Sequence, residues 1–556
     1  MKYLSILDYL IFVVYFLIVA CYGVWIYWRK KSVQQDSKDY FLAEGSLTWW
    51  AIGASLIASN ISAEQFIGMS GSGFKMGLAI ASYEWVAAVT LLIVATFFLP
   101  VYLKNRIYTM PQFLNQRYNG TVAMIMAVFW LLLYVTVNLT AILYLGALAI
   151  NSISGIDLNL CMYGLTAFAV IITLGGMKVI GYTDVIQVFF LVLGGLITTF
   201  IALNLVSDHF HGTGVMDGLT LLRAKAPGHF HMILKKDNEN YLDLPGLTVL
   251  LGGMWISNLS YWGCNQYITQ RALGADLSTG RNGLLFAAFL KVLMPVIVVL
   301  PGIAAFVLFK EGAFHQEMIQ NGEVNPDRAY PLLLNLLPHG LKGVSFAALT
   351  AAVVASLAGK ANSIATIFTL DIYKKHINPG GSENRLVSVG RITVVAAMLL
   401  AVILAPMLGI DKKGGFQYIQ EYTGFVSPGI FAMFLLGFFW KGTTSGAAMF
   451  ATIGGFILSV IFKFVPQIVD LSFLAPSGFS KLTAKGIYEI PFLDRMEIVF
   501  LLCMTGMYLI SKYQTRKGYQ PKGLETDPSM FRLTPAFTAG ALLILGILTA
   551  LYTFYW

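Results

Sequence analysis

Ala58-Ser59-Asn60-Ile61-Ser62-Ala63-Glu64-Gln65 sets hydroxyl, carboxamide and carboxylate side chains in the middle of an apolar run, residues 49–70, with Ile57 before the patch and Phe66 after it. A run of that length reads as a membrane-spanning helix. A charge at its centre then costs about 2.5 to 3.5 kcal/mol on insertion scales unless it finds a partner or a water-filled path. Interrupting the helix at the patch frees backbone carbonyls at membrane depth, which is tolerated only where they line a cavity or hold an ion. A second patch, Asn258-Leu259-Ser260-Tyr261-Trp262-Gly263-Cys264-Asn265-Gln266, lies five spans further along. Two interrupted helices at that separation predict an inverted repeat of five plus five helices.

The rest of the chain agrees with a membrane reading. Of 556 residues, 57% are apolar and only 12% charged, with a mean hydropathy of +0.71, whereas soluble domains carry about 25% charge. That supplies about fourteen spans of ~20 residues and leaves little for a separate soluble core. An ordinary soluble domain and a fused soluble catalytic domain are both excluded. The runs lie near 7–28, 49–70, 78–103, 121–150, 159–174, 180–205, 247–270, 283–308, 341–370, 388–407, 416–440, 446–464, 495–512 and 534–555. They are apolar all round and too long for barrel strands, so the fold class is an all-α integral membrane protein. The first run is too long for a signal-peptide core and is followed by Arg29, Lys30 and Lys31, so it reads as a retained span.

The net charge of +9 resides in short connectors rather than on one patch, which is a topology signal and gives no reason to expect nucleic acid. Odd-numbered connectors hold Arg29, Lys30, Lys31 and Lys38; Lys104, Arg106 and Arg117; Arg271 and Arg281; Lys374, Lys375 and Arg385; and Arg516, Lys517, Lys522 and Arg532. Short even-numbered connectors hold little beyond Lys75, Lys412, Lys413, Lys481 and Lys485. Odd connectors are therefore expected in the cytoplasm and both termini outside. The four cysteines lie singly in apolar runs and suggest neither disulfides nor zinc. The pairs His209/His211 and His229/His231 fall in a long connector, where solvation explains them without a metal.

Further polar side chains sit inside apolar runs: Glu84 beside Tyr83, Asn138, Asp184, Lys291 and Gln420. Lys291 lies nine residues into its run, or roughly 13 Å at 1.5 Å per residue, too deep to snorkel comfortably. With Tyr83, Tyr261, Trp262 and Phe416 the set combines one cation, a carboxylate, carboxamides and aromatic faces. A neutral polyhydroxylated ligand wants such alternating donors and acceptors with a stacking platform, whereas an amino acid wants two fixed opposite charges. A sugar fits best. Ala352, Ser356, Lys360 and Ser363 form a narrow small-and-polar stripe at helical spacing. Close helix packing accounts for that stripe except at Lys360.

Several stretches carry a resemblance: DYFLA at 39–43, ASNISAEQFIGMSGSG at 58–73, ASYEW at 81–85, TDVIQVFF at 183–190, YWG at 261–263, PGIAA at 301–305, FQYIQEY at 416–422 and GFFWKGTTSGA at 437–447. Together they span nearly the whole chain. In them the chain resembles the solute:sodium symporter family, most closely its bacterial sodium/galactose members. The resemblance implies about 14 transmembrane helices with an extra helix and connector at 1–48, a first five-helix repeat at 49–205, an extracellular loop at 206–246, a second repeat at 247–440 and three C-terminal helices at 441–556. It implies that Gln65, Glu84, Asn138, Asn258, Lys291 and Gln420 bind sugar hydroxyls, with Met69, Tyr83, Phe416, Trp262 and Tyr261 closing the pocket. Tyr261 would be the inner stacking gate, held by Asn60.

For the sodium ion the resemblance implies the carbonyls of Ala58, Ile61 and Ala352 and the hydroxyl of Ser356, with Asp184 nearby. This chain departs from the family pattern at Ala355, where a second hydroxyl is usual, at Ala87 in place of a sugar-contacting serine, and at Gly359, which is followed by Lys360. The expected activity is sodium-driven import of galactose or glucose across the plasma (inner) membrane by alternating access, with the bilayer and the sugar as partners. Proton-coupled or uncoupled transport, with Lys360 as the modifier, and a membrane sugar sensor are the alternatives. Nothing in the sequence supplies a catalytic constellation, so no enzyme is expected.

Overall fold

The computed structural model describes residues 4–29, 48–174, 177–320, 322–407 and 414–556. The stretch 39–43 and the connector residues Lys30, Lys31, Lys38, Lys412 and Lys413 lie outside them. Among the described residues the regular structure is helical apart from two short antiparallel hairpins in connectors, Ile319–Gln320 with Glu323–Val324 and Lys481–Leu482 with Tyr488–Glu489. Among the described residues eight helices are long and apolar enough to cross a membrane, or nine if the broken pair Gly415–Thr423 and Ser427–Phe439 counts as one span. The other apolar runs fold as interrupted helices (Trp49–Asn60, Gly253–Cys264), as a shorter one (Leu158–Thr173) or as the more polar Phe492–Arg516.

The chain divides into two compact units. The first comprises Met1–Ala81, Leu131–His231 and Leu290–Ile419. Its centre is the helix Leu341–Thr366, buried along almost its full length because small residues (Ala347, Ala348, Ala351, Ala352, Ala355, Ala358) let neighbours approach. The helix Ile6–Arg29 lies against it, with Phe12 stacked on Phe346 at 4.9 Å. Asp8 accepts from the Gly340 and Gly343 N–H groups at 2.8 and 3.0 Å, capping the start of Leu341–Thr366 from another helix. His229, expected in a solvated loop, instead stacks on Phe306 at 3.9 Å and bonds the Phe74 carbonyl. It is a packing residue.

The predicted interruption at 58–65 is present. The helix Trp49–Asn60 stops at Ile61, whose φ and ψ of −78° and 108° are extended, and the chain resumes as the wide-turned segment Glu64–Met69 and the helix Ser70–Met76. Wide π-type turns collect at functional positions in many helices, and a second one here, Tyr134–Leu139, carries Asn138.

The second unit comprises Ser82–Trp130, Met232–Phe289 and Gln420–Trp556. Its patch at 258–266 is helical until Asn265, where the backbone turns extended, so the interruption falls at the end of the patch rather than at Asn258. A further irregularity at Gly252 separates Thr248–Leu251 from Gly253–Cys264. This unit is fastened by buried arginines. Arg117 gives its guanidinium to the carbonyls of Gly437, Trp440 and Thr443 at 2.8, 2.9 and 3.0 Å. Arg281 does the same for Ala95, Met530 and Arg532.

Candidate functional site

In the first unit the break at 61–63 rewires the backbone. In an unbroken helix the Ala58 carbonyl would accept from Ser62 N–H and the Ile61 carbonyl from Gln65 N–H. Here Ser62 N–H donates to Gln65 Oε1 at 3.1 Å, and Gln65 N–H donates to the Ser62 carbonyl at 3.1 Å. Both carbonyls thus lose their helical donors. Ser62 Oγ meanwhile accepts from Glu64 N–H at 3.1 Å, so Ser62 and Gln65 form a reciprocal cap on the distal segment.

The Ser59 carbonyl recovers a donor from another helix, Ser356 Oγ at 2.9 Å. Ser59 Oγ donates to the Ser55 carbonyl at 2.7 Å, and Ser55 Oγ donates to Asp184 Oδ2 at 2.6 Å. Ala58, Ile61, Ala352, Ser356 and Asp184 are all buried. The structure therefore places Ser356 and Asp184 beside the broken end of Trp49–Asn60, joined to it through Ser59 and Ser55. Freed carbonyls at a helix break are a class of oxygen donor suited to a hard monovalent cation. Ala355, next to Ser356, adds no oxygen. One turn beyond Ser356, Lys360 is 3% exposed and interacts electrostatically with Glu64.

The sugar candidates of this unit lie near the same break. Lys291, on the helix Leu277–Lys310, is 1% exposed and donates to Asn60 Oδ1. Gln65 spends its carbonyl oxygen on Ser62, which leaves its Nε2 as the side-chain donor. Met69 and Phe416 are buried, and the backbone around them approaches closely: a Cβ on Gly68 would come 2.7 Å from Phe416 N. Asn138 is buried on its wide turn.

In the second unit Tyr83 and Glu84 are buried at the start of Ser82–Ile93. Asn258 and Trp262 are buried on Gly253–Cys264, with Tyr261 half-buried and edge-on to Trp262 at 5.2 Å. Asn258 Nδ2 bonds back to the Met254 carbonyl at 3.1 Å, so Oδ1 is its acceptor. Gln420 is half-buried on Gly415–Thr423.

Sequence reasoning passed over Ser55, Ser59, Ser62 and Asp327. The three serines stood inside the quoted patch or one turn before it, yet a serine in an apolar helix ordinarily bonds its own helix, and nothing in sequence spacing says which carbonyl of another helix needs a donor. Asp327 follows Asn325-Pro326, a turn signal, in a connector expected to be solvated. In the structure it is 2% exposed.

Comparison with known proteins places these features among transporters. The family model described as Sodium:solute symporter family matches residues 40–455. The chain is 46% identical to the sodium/glucose cotransporter of Vibrio parahaemolyticus over 565 aligned residues, covering 100% of this chain and 99% of that protein. It is 35% identical to the human sodium/myo-inositol cotransporter 2, covering 82% of this chain and 69% of that protein. Among solved structures, a substrate-bound, outward-open sodium-coupled sialic acid symporter shares the fold with a TM-score of 0.76 at 20% identity, covering 94% of this chain and all of that one.

Proposed function

The chain belongs to the sodium:solute symporter family, and on that premise we propose that it imports a sugar, glucose or galactose, by coupling its entry to sodium through alternating access. It is a multi-pass membrane protein. The observation that carries the reading is the pair of carbonyls, Ala58 and Ile61, stripped of their helical donors next to Ser356 and Asp184. Ala58, Ile61, Ala352 and Ser356 hold the ion, and Asp184 supplies the compensating charge.

Gln65, Glu84, Asn138, Asn258, Lys291 and Gln420 bind the hydroxyls of the sugar, whose faces pack against Met69, Tyr83, Trp262 and Phe416. Tyr261 stacks on the ring as the inner gate, and Asn60 steadies it. The arrangement in the membrane is fourteen spans in two inverted five-helix repeats, 49–205 and 247–440, flanked by 1–48 and 441–556, with the loop 206–246 and both termini outside. One sodium charge falling through 100 mV yields ~2.3 kcal/mol, enough for roughly fifty-fold accumulation before any sodium gradient is added.

The deciding experiment is uptake of labelled glucose, galactose and myo-inositol into proteoliposomes at fixed membrane potential, with and without an inward sodium gradient. Accumulation of a hexose only with the gradient is expected. Equal uptake without it, together with uptake driven by a proton gradient, selects a second reading that the buried Lys360 beside Glu64 favours: a transporter in which that ammonium replaces the ion and its proton is the coupled species.

A further inference from the structure

Two carboxylates in the first unit cap a helix that they do not belong to, and they are built differently. Asp8 is saturated: besides Gly340 and Gly343 it accepts from Ser5 N–H at 2.9 Å and Ser5 Oγ at 2.6 Å, with His339 Nδ1 at 3.3 Å. Asp327 is as deeply buried, on the turn Pro326–Arg328 of the connector 309–340, yet among the described residues its carboxylate takes one bond, from Gly415 N–H at 2.8 Å. Gly415 is the first residue of Gly415–Thr423, the helix that carries Phe416 and Gln420. On its other side Asp327 lies against the distal part of the broken second span. A Cβ on Gly71 would come 2.5 Å from Asp327 Oδ1 and 2.9 Å from its backbone nitrogen. Gly71 opens the helix Ser70–Met76, which continues the segment bearing Gln65 and Met69.

We infer that Asp327 is a positioning residue of the transport cycle, a latch by which the connector 309–340 fastens the N-terminal end of Gly415–Thr423 to the distal half of the broken second span. The inference rests on the sugar-binding roles proposed above for Phe416 and Gln420. Its geometry is that of a lever. The helix is nine residues long, bent by 50° against Ser427–Phe439 at its far end and capped at its near end by the Asp327 carboxylate on Gly415 N–H. An anion at a helix N-terminus meets both an orphan N–H and the positive end of the dipole, so the tie is strongest while Asp327 is ionised. Closed, it holds Phe416 and Gln420 in one position. Released, it lets the segment swing about residues 424–426, as gating requires.

Asp327 is also placed to feel outside pH. Burial pushes its carboxyl up to about 7, against the lowering effect of the Gly415 N–H. The ionisable residues on the elements packed against it are Glu64, Lys75, His315, Glu317 and Tyr330, with Tyr418, Glu421 and Tyr422 on the helix that it caps and Arg328 beside it in sequence. Arg328 turns to the Glu317 carbonyl at 3.1 Å. Below about pH 7 the neutral acid is a weaker acceptor, and the latch loosens.

The test compares wild type, Asp327→Ala and Asp327→Asn as purified full-length protein, by hydrogen exchange of the 415–423 amides and by sodium-driven hexose uptake. Asp327→Ala should speed exchange at 415–423 at least tenfold and raise the sugar KM three- to tenfold, with the maximal rate per folded molecule within twofold. Asp327→Asn, which keeps an acceptor oxygen, should restore most of the KM but lose the rise that wild type shows between outside pH 8 and 6. Should Asp327→Ala fail to fold, Gly71→Ala is the second variant, since its methyl must push back both the carboxylate and the Pro326–Asp327 backbone that carries it, and it should speed the same exchange. Unchanged exchange at 415–423 in Asp327→Ala, or in Gly71→Ala where that stands in for it, overturns the latch whatever the substrate proves to be. So does a KM pH profile in Asp327→Asn identical to wild type. Absence of uptake by wild type with the exchange result intact would instead count against the proposed sugar transport alone.

Discussion

Arg117 and Lys291 are both cations, each 1% exposed and each on a helix of an apolar protein, but they are held in opposite ways. Arg117, in the second unit, spends its guanidinium on backbone carbonyls of the turn after Ser427–Phe439. Those carbonyls are the leftover acceptors of a helix C-terminus, so cation and helix end satisfy each other permanently. Lys291, in the first unit, gives its ammonium to the Asn60 side chain, at the point where a helix stops. A carboxamide can rotate, and under the proposed function a sugar hydroxyl takes its place, so this bond would be exchanged during the transport cycle. Burial and charge alone do not separate a structural cation from a functional one. The partner does.

The comparison is tested most strongly on the structural side. Arg117→Ala takes the charged donor from the Gly437 and Thr443 carbonyls, while the Trp440 carbonyl keeps Thr443 N–H and Oγ1, and should destabilise the protein by about 3 to 5 kcal/mol, the cost of leaving buried acceptors unsatisfied and losing charge-assisted bonds. Thermal unfolding in detergent reads the loss. The molecules that remain folded should keep the wild-type sugar KM, and a KM shift as large as that of Lys291 variants would erase the distinction drawn here.

Lys291→Met, by contrast, should leave thermal stability within about 1 kcal/mol, because methionine fills similar space without a charge to satisfy. Sugar uptake should nevertheless fall about a hundredfold, corresponding to ~2.7 kcal/mol of lost charged hydrogen bonding. Binding of glucose and galactose at wild-type affinity by this variant would remove Lys291 from the site. For the ion, Ser356→Ala deletes one ligand and the donor to the Ser59 carbonyl. A loss of ~1 to 1.5 kcal/mol predicts about a tenfold higher sodium requirement for half-maximal uptake, at unchanged sugar KM when sodium is saturating.

How much of this was legible beforehand follows from what sequence can encode. The interruption at 58–65 was readable because polar side chains in an apolar run have few other uses, and the broken helix is where it was expected. The patch at 258–266 also contains a break, at Asn265 near its end, while Asn258 satisfies itself on the Met254 carbonyl and stays helical, a position within the patch that the sequence did not specify. Lys291 was legible as buried, though its Asn60 partner was not. Asp327 was passed over and His229 was read as solvated, because connectors usually are; the first is folded under a helix start and the second is stacked on Phe306. Sequence identifies residues that need partners. Which partner they find is decided by helices far apart in the chain, and there the reading ended.

The smallest predicted effect asks on which side of the comparison Lys360 falls. It is a buried cation like the other two, but its electrostatic partner, Glu64, opens the segment after the break, and Ser356, proposed above as an ion ligand, is one turn away along the same helix. If the pair were a fixed structural bridge, Lys360→Met would leave Glu64 uncompensated and cost stability without altering ion dependence. If it belongs to the cycle, an ammonium one helical turn from Ser356 repels the ion held there, while Glu64 cancels most of that field. A net repulsion below about 1 kcal/mol, roughly threefold in sodium affinity, is then what remains. Lys360→Met should therefore lower the sodium requirement about threefold. Adding Ala355→Ser, which returns a hydroxyl beside Ser356, should lower it further. Glu64→Gln, which exposes the ammonium, should raise it. Charges that act as one unit do not add, so the double variant Glu64→Gln with Lys360→Met should lie well off the sum of the singles. Strict additivity in sodium titrations of uptake at fixed potential would mean that the two side chains act independently, and would leave Lys360 with the structural cations typified by Arg117.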